Sequence, residues 1–141
     1  MLLVYRYLIN IFFPIIVILV IIRKWLAKED QFRYKEKIFE TSLNIIRNNN
    51  KKLIWFHVAS IGELKSVIPL IKKLNEKKEF EFLITTVTVS SASLIKKDLL
   101  NEKNIIHRFF PIDKPSLVKK FLNGWNPFMT VFVDSEIWPN F

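Results

Sequence analysis

Residues 55–70 read WFHVASIGELKSVIPL, and the period of the apolar residues changes within them. Trp55 to Ala59 continue an apolar run from Leu53 that suits a buried strand, whereas Leu64, Val67, Ile68, Ile71 and Leu74 fall at the spacing of one helix face. The change takes place across Ser60-Ile61-Gly62-Glu63, which holds one of the chain's two glycines and a carboxylate beside it. Strand, short polar turn and amphipathic helix in that order begin a βαβ unit. Pro69 lies inside the helical stretch, and its missing N–H predicts a kink or a late helix start.

The alternation repeats downstream. Residues 80–87 form a second strand, and Ser90-Ser91 supply a capping signal for a helix carrying Ala92, Ile95 and Leu99. A third strand spans about residues 105–110. Asp113-Lys114-Pro115 opens a helix with proline in its first turn, Leu117, Val118, Phe121 and Leu122 facing inward, and Gly124 as its stop. After Asn126-Pro127, residues 128–133 are almost continuously apolar, as in strands covered on both faces. Four strands alternating with three helices predict an α/β domain, a Rossmann-like parallel sheet with right-handed crossovers, over residues 53–141.

Upstream, residues 7–22 form an apolar run interrupted by Asn10 and Pro14, and Arg6 separates it from an apolar start. That approaches the roughly 20 residues needed to cross a bilayer, and no small-residue cleavage site follows it. Residues 1–22 therefore read as a retained membrane-anchor helix, either spanning or lying in the interface. Arg23, Lys24 and Lys28 follow at once and place the rest of the chain on the cytoplasmic side. Residues 23–52 carry nine basic and four acidic side chains, a net +5, and read as a basic, partly amphipathic juxtamembrane helical segment. Such a run is either a solvated face or a surface for anionic headgroups.

Composition narrows the chemistry. The 141 residues, 50% hydrophobic, suffice for one ordinary core, and a net charge of +9 calls for an acidic partner. There is no cysteine and there are two histidines, so disulfides and thiolate metal sites are excluded and no structural metal is expected. No glycine signature of a dinucleotide or P-loop site follows a strand, and no G-x-S-x-G elbow occurs. In open parallel sheets ligands gather outside the carboxyl ends of the strands. Those ends carry Ser60, Gly62 and Glu63, then Thr85, Thr86, Thr88, Ser90 and Ser91, then Asp113, then Asp134, Ser135 and Glu136, with Trp138 just beyond. One rim thus collects hydroxyls and carboxylates. Glu63 reads either as an acid favoured by the helix dipole or as a general base for a substrate hydroxyl. His57 and His107 read as core histidines. Trp138 is a packing residue or a platform for a sugar or lipid.

Four stretches in order and spacing, HVASIGE with IPLI behind it, TTVTVSSAS, HRFFPID and VDSEIWPN, resemble the 3-deoxy-D-manno-octulosonic acid (Kdo) transferases. The resemblance covers about residues 53–141. It implies the N-terminal half of a GT-B glycosyltransferase at the cytoplasmic face of the bacterial inner membrane. That half takes the acceptor, a phosphorylated glucosamine disaccharide lipid (the lipid A precursor lipid IVA), and a C-terminal domain takes the donor, CMP-Kdo. It makes Glu63 the general base, with Gly62 letting the backbone turn tightly beneath it, and sets Glu136 on the same rim. Ser60, Gly62, Thr86, Thr88, Ser91, Asp134 and Trp138 are the substrate-binding candidates. No cofactor or metal is implied beyond the donor substrate, and anionic inner-membrane lipids are the further partner. Asp134-Ser135-Glu136 departs from the family's Glu-Thr-Glu by shortening the first carboxylate. The chain ends at Phe141, so the expectation is that the donor-side domain lies outside it and that these residues alone transfer no sugar. The rival from another class is a membrane-anchored lipid- or anion-binding half-domain with no turnover. A nucleic-acid binder fits poorly, because the basic residues are scattered over helices or sit beside the anchor instead of lining one face among exposed aromatics.

Overall fold

The computed structural model of the chain describes residues 1–43, 45, 47, 51–99, 102–133 and 138–141. Four strands, β1 (Lys52–Val58), β2 (Phe80–Thr86), β3 (Ile105–Phe109) and β4 (Met129–Phe132), form one sheet in the order β3-β2-β1-β4. Every pairing is parallel, with Trp55 opposite Leu83 and Thr130, and Leu83 opposite Ile106. The connections are helical: α3 (Ile61–Asn75), α4 (Val89–Asp98) and α5 (Pro115–Trp125).

Because side chains alternate along a strand, β1 feeds two cores. Ile54, Phe56 and Val58 pack with Leu64, Val67 and Ile71 of α3 and Ile95 of α4. Leu53 and Trp55 pack on the opposite face with Leu117, Phe121 and Trp125 of α5. Helices therefore cover both faces, and β1 and β2 are buried along almost their whole length. Each fully buried Leu, Ile, Val or Phe contributes about 1.5–3 kcal/mol relative to exposure.

Several local expectations differ from what the structure holds. The cap of α4 is Thr88, whose Oγ1 accepts from Ser91 N at 3.2 Å, and Ser90 and Ser91 lie inside the helix. Gly124 does not end α5; the helix runs on to Trp125, and Asn126 takes the left-handed conformation that terminates it (φ 43, ψ 62). Pro69 leaves α3 starting at Ile61, eight residues upstream, because Pro69 and Lys65, whose carbonyl loses its helical donor, are both solvent-exposed. β4 is half-exposed rather than covered, since among the described residues it pairs only with β1 at one edge.

Upstream of the sheet, α1 (Leu2–Trp25) is long and apolar enough to cross a membrane. Among the described residues after α1, the basic segment is helical in α2 (Lys35–Ile38) and in a 3-10 turn, Glu40–Leu43. The segment is solvated only in part: Arg23, Lys28, Lys35, Lys51 and Lys52 are exposed, but other residues turn inward. Glu29, Glu36, Lys37, Ile38 and Leu43 are buried, and the charged ones are paired. Lys37 Nζ donates to Glu29 and to the carbonyl of Val87, and Arg23 holds the other oxygen of Glu29. Glu36 accepts from Arg33, from Arg108 and from the backbone N–H of Phe109. Residues 29–43 thereby become part of the wall at the carboxyl ends of β2 and β3.

Candidate functional site

The strand order fixes where a crevice opens. From β1 the chain crosses to β2 on one face through α3, whereas β4 reaches the other side of β1 through α5 on the opposite face. The connections diverge between β1 and β4, and that switch point at the carboxyl ends is the position at which open α/β sheets bind ligands. The Ser60–Glu63 turn leaves β1 there. The segment leaving β4 is 134–137, so Asp134 and Glu136 lie outside the described residues.

The turn is built as a variant of a capping box. Ser60 is the N-cap of α3, and its Oγ accepts from Glu63 N at 3.2 Å. Glu63 reaches back, its Oε2 accepting from Ala59 N at 2.8 Å, which fixes a half-buried carboxylate beside the exit of β1. Ser60 and Gly62 are exposed. The tight turn expected of Gly62 is not present: no glycine has a positive φ, and a Cβ added there would meet nothing nearer than Ser60 Oγ at 3.8 Å. What a glycine does at this position is leave the space before the helix open.

Of the candidates at the end of β2, Thr88 is exposed, whereas Thr86 and Ser91 are fully buried. Thr86 Oγ1 accepts from His107 Nε2 at 2.9 Å, and Ser91 Oγ accepts from Thr88 Oγ1 at 2.9 Å. Both hydroxyls therefore brace the rim from behind instead of facing a ligand. The tautomer of His107 follows from its partners, because Arg33 donates to Nδ1 at 3.1 Å and only Nε2 can carry the proton. Burial, reinforced by Arg33, pushes the His107 pKa down to about 4, so the ring is neutral near pH 7. His57 is buried against Phe110, 3.8 Å between ring centroids, and its Nδ1 shares a 2.9 Å hydrogen bond with Thr85 Oγ1.

A cavity of about 320 Å³ lies farther along the rim, lined by Val20 and Arg23 of α1, Lys37, Val87, Phe110 and Trp138, among others. Its walls are largely apolar, with Glu29 and Asp113 lining it beside Arg23 and the buried Lys37, and the ring centroids of Trp138 and Phe110 are 6.1 Å apart. Sequence reasoning set Trp138 on the rim beyond Asp134, Ser135 and Glu136, as a packing residue or a sugar or lipid platform, without foreseeing this cavity. It missed Lys37 and Phe110, because nothing local marks a lysine that will be folded inward by pairing with Glu29. In the cavity wall Asp113 is a brace: it accepts from Tyr5 OH at 2.8 Å and from Asn140 N, while its own carbonyl accepts from Asn140 Nδ2 at 2.9 Å. Burial raises its carboxyl above the ordinary aspartate value, against the hydrogen bonds that lower it. The asparagine of the Trp-Pro-Asn stretch thus ties the end of the chain to the exit of β3. Among the described residues no three His, Cys, Asp or Glu side chains converge as a metal-ligand group.

A family model described as 3-deoxy-D-manno-octulosonic-acid transferase (kdotransferase) matches residues 32–141. The chain is similar to the 3-deoxy-D-manno-octulosonic acid transferase of Rickettsia bellii (strain RML369-C), 35% identical over 96% of this chain and 31% of the relative. It is 40% identical to the probable mitochondrial 3-deoxy-D-manno-octulosonic acid transferase of Arabidopsis thaliana, over 62% of this chain and 20% of that protein. The enzyme of the same name from Haemophilus influenzae (strain ATCC 51907 / DSM 11121 / KW20 / Rd) is 27% identical over 62% of this chain. The chain thus spans about a third or less of the length of these curated relatives. With the family model matched from α2's approach to the last residue, the chain belongs to the 3-deoxy-D-manno-octulosonic acid transferase family.

Proposed function

We propose that this chain forms the acceptor side of a Kdo transferase of GT-B architecture. In this reading residues 53–141 are the acceptor-side domain, α1 holds it to the cytoplasmic face of the inner membrane, and 23–52 link the two. The acceptor is a phosphorylated glucosamine disaccharide lipid, the lipid A precursor. The donor is CMP-Kdo, delivered across the cleft by a second domain, and no further cofactor or metal takes part. The supporting observation is the placement of Glu63: a carboxylate fixed by its bond to Ala59 N stands at the switch point between β1 and β4.

Transfer requires an acceptor hydroxyl to lose its proton as its oxygen attacks the anomeric carbon. A carboxylate held at a fixed rotamer within reach of that hydroxyl can take the proton, a contribution of typically 10²–10⁴-fold. The resemblance adds Glu136 to the site, with Ser60, Thr88, Asp134 and Trp138 as the acceptor-binding residues of this reading. Gly62 leaves room for the acceptor's approach.

Glu63→Gln, in this chain joined to the donor-side domain of a relative, separates base from cap. The amide oxygen can still accept from Ala59 N, so the turn stays formed, but the base is gone. Turnover with CMP-Kdo and the lipid acceptor should fall by roughly 10²–10⁴-fold with acceptor binding changed far less. Transfer at the parent rate would leave Glu63 as a helix cap and nothing more.

A further inference from the structure

The side of α1 that faces the domain is one continuous stripe. Tyr5, Ile9, Phe13, Ile16, Val17, Val20 and Lys24 are partly or wholly buried, spaced three or four apart from the first turn to the last. The opposite face, including Leu8, Phe12, Ile15, Leu19 and Ile22, is exposed and apolar. Polar ties fix both ends. Tyr5 OH donates to Asp113 at 2.8 Å and Arg6 Nε to Asn140 Oδ1 at 2.8 Å near the start, and Arg23 Nε donates to Glu29 at 2.8 Å near the finish. In between, Phe13 packs against the α5-side core and under Lys114 Nζ, 4.2 Å from its ring centre. The ties from Tyr5 to Arg23 span about 27 Å at 1.5 Å per residue, close to the roughly 30 Å of a bilayer's hydrocarbon.

A helix docked along that whole length cannot cross the membrane without taking its neighbours along. Those neighbours are Asp113, Lys114 and the irregular backbone of 110–114 and 138–141, and lipid-exposed irregular backbone does not occur in hydrocarbon. We infer that α1 is an interfacial helix that does not span. It lies flat between the domain and an anionic bilayer surface, with its outer apolar face sunk to the acyl boundary. The charge supports that occupant over a second protein. Arg6 and Lys119, both exposed, line one groove at the start of the helix, and Arg23, whose side chain is half exposed, stands at its end, whereas Lys24 and Lys114 lie on the docked side. Cations beside an apolar helix face are what an anionic headgroup layer attracts. A helix lying flat also brings the cavity lined by Val20, Arg23 and Trp138 to headgroup depth. The inference rests on the membrane attachment proposed above but not on the sugar chemistry.

The sequence has no cysteine, so Leu2→Cys gives a single thiol reporter beside the amino terminus. The full chain would be added to preformed phosphatidylglycerol-containing vesicles, floated, and treated with a membrane-impermeant maleimide. The expected result is flotation together with labelling of the introduced thiol from outside as complete as in detergent. Flotation with that thiol protected until detergent is added would mean a crossing helix and overturn the inference, leaving membrane attachment standing. No flotation, or flotation equal on zwitterionic vesicles, would overturn the anionic surface itself. As a second measurement, a photo-reactive side chain at Phe13 in the floated protein should cross-link within the chain to the peptide containing Lys114. Cross-links to lipid alone would place α1 away from the domain and overturn the docked geometry.

Discussion

Replacing Glu36 by Ala tests whether the basic segment is structural. Its carboxylate accepts from Arg33 Nε at 2.9 Å and Nη2 at 3.0 Å, from Arg108 Nη1 at 3.0 Å and from Phe109 N at 2.8 Å. Burial pushes the Glu36 carboxyl up, but these bonds and the two guanidiniums outweigh it and hold the carboxyl below the ordinary glutamate value. Removing one partner from a fully buried ion pair costs about 3–5 kcal/mol. Here the cations retain 35% and 36% of their side-chain exposure, so they rehydrate and the ionic loss is smaller. Phe109 N–H stays buried without its acceptor, at about 1–3 kcal/mol. A total of about 3 kcal/mol follows, or a drop in Tm on the order of 10 °C for a domain of this size. Glu36→Gln keeps one acceptor oxygen and should cost about half as much. Glu40→Ala, at an exposed site four residues on, should stay within about 0.5 kcal/mol of the parent. Denaturant unfolding in mild detergent, followed by tryptophan fluorescence, reads all three. If Glu36→Ala proved as silent as Glu40→Ala, the packing of α2 on β3 would be refuted.

The pH dependence of stability is set first by His107. Its folded pKa of about 4 lies below the ordinary 6.5, so the unfolded chain binds the proton first as pH falls. The stabilisation is full above 6.5 and is lost between 6.5 and 4, by about 3 kcal/mol in all, and His107→Gln should flatten unfolding curves measured across that window. Gly124→Ala should raise stability by about 0.5–1 kcal/mol, since the site is helical and an added Cβ would sit 3.5 Å from Ile45 in ordinary contact; a lower Tm would refute that. Thr88→Ala removes the cap of α4 and the donor to Ser91 Oγ and should cost about 1 kcal/mol by the same measurement, whereas Ser90→Ala should cost little.

Much of the sheet was legible because each strand's apolar run and each helix's period are local signals. The errors fall where two local signals compete or where the deciding partner is remote. Thr88 and Ser90 are both capping residues two positions apart, and the choice between them rests on which hydroxyl meets an N–H three residues later. Gly124 and Asn126 can each end a helix; Gly124 stays helical beside Ile45, and Asn126 tolerates the left-handed turn. The acids and bases of residues 29–37 carry no mark of burial, since Glu36 is neutralised by Arg108, 72 positions away. The stripe of α1 was invisible for a related reason. Both of its faces are apolar, so the sequence does not distinguish the side that packs on the domain from the exposed side.

The Ser60–Glu63 turn has the opposite property, because its sequence supports two roles that the structure makes compatible. Ser60-x-x-Glu63 is a capping pattern, and a carboxylate engaged in a cap could be dismissed as structural. The cap uses the bond from Ala59 N to Oε2, which locks the rotamer of a side chain that would otherwise sample several. Catalysis by a general base depends on that kind of positioning, since a proton is transferred only over hydrogen-bond distance. A Glu63→Ala change therefore removes cap and base together and cannot assign a role. Glu63→Gln leaves the cap, and Ser60→Ala removes the reciprocal bond from Glu63 N while leaving the carboxylate. If Glu63 acts as base, stability should fall mainly in the serine variant, by about 1 kcal/mol, and turnover mainly in the glutamine variant. A serine variant that lost as much turnover as the glutamine variant would mean that the shape of the turn, and not the charge at residue 63, carries the activity.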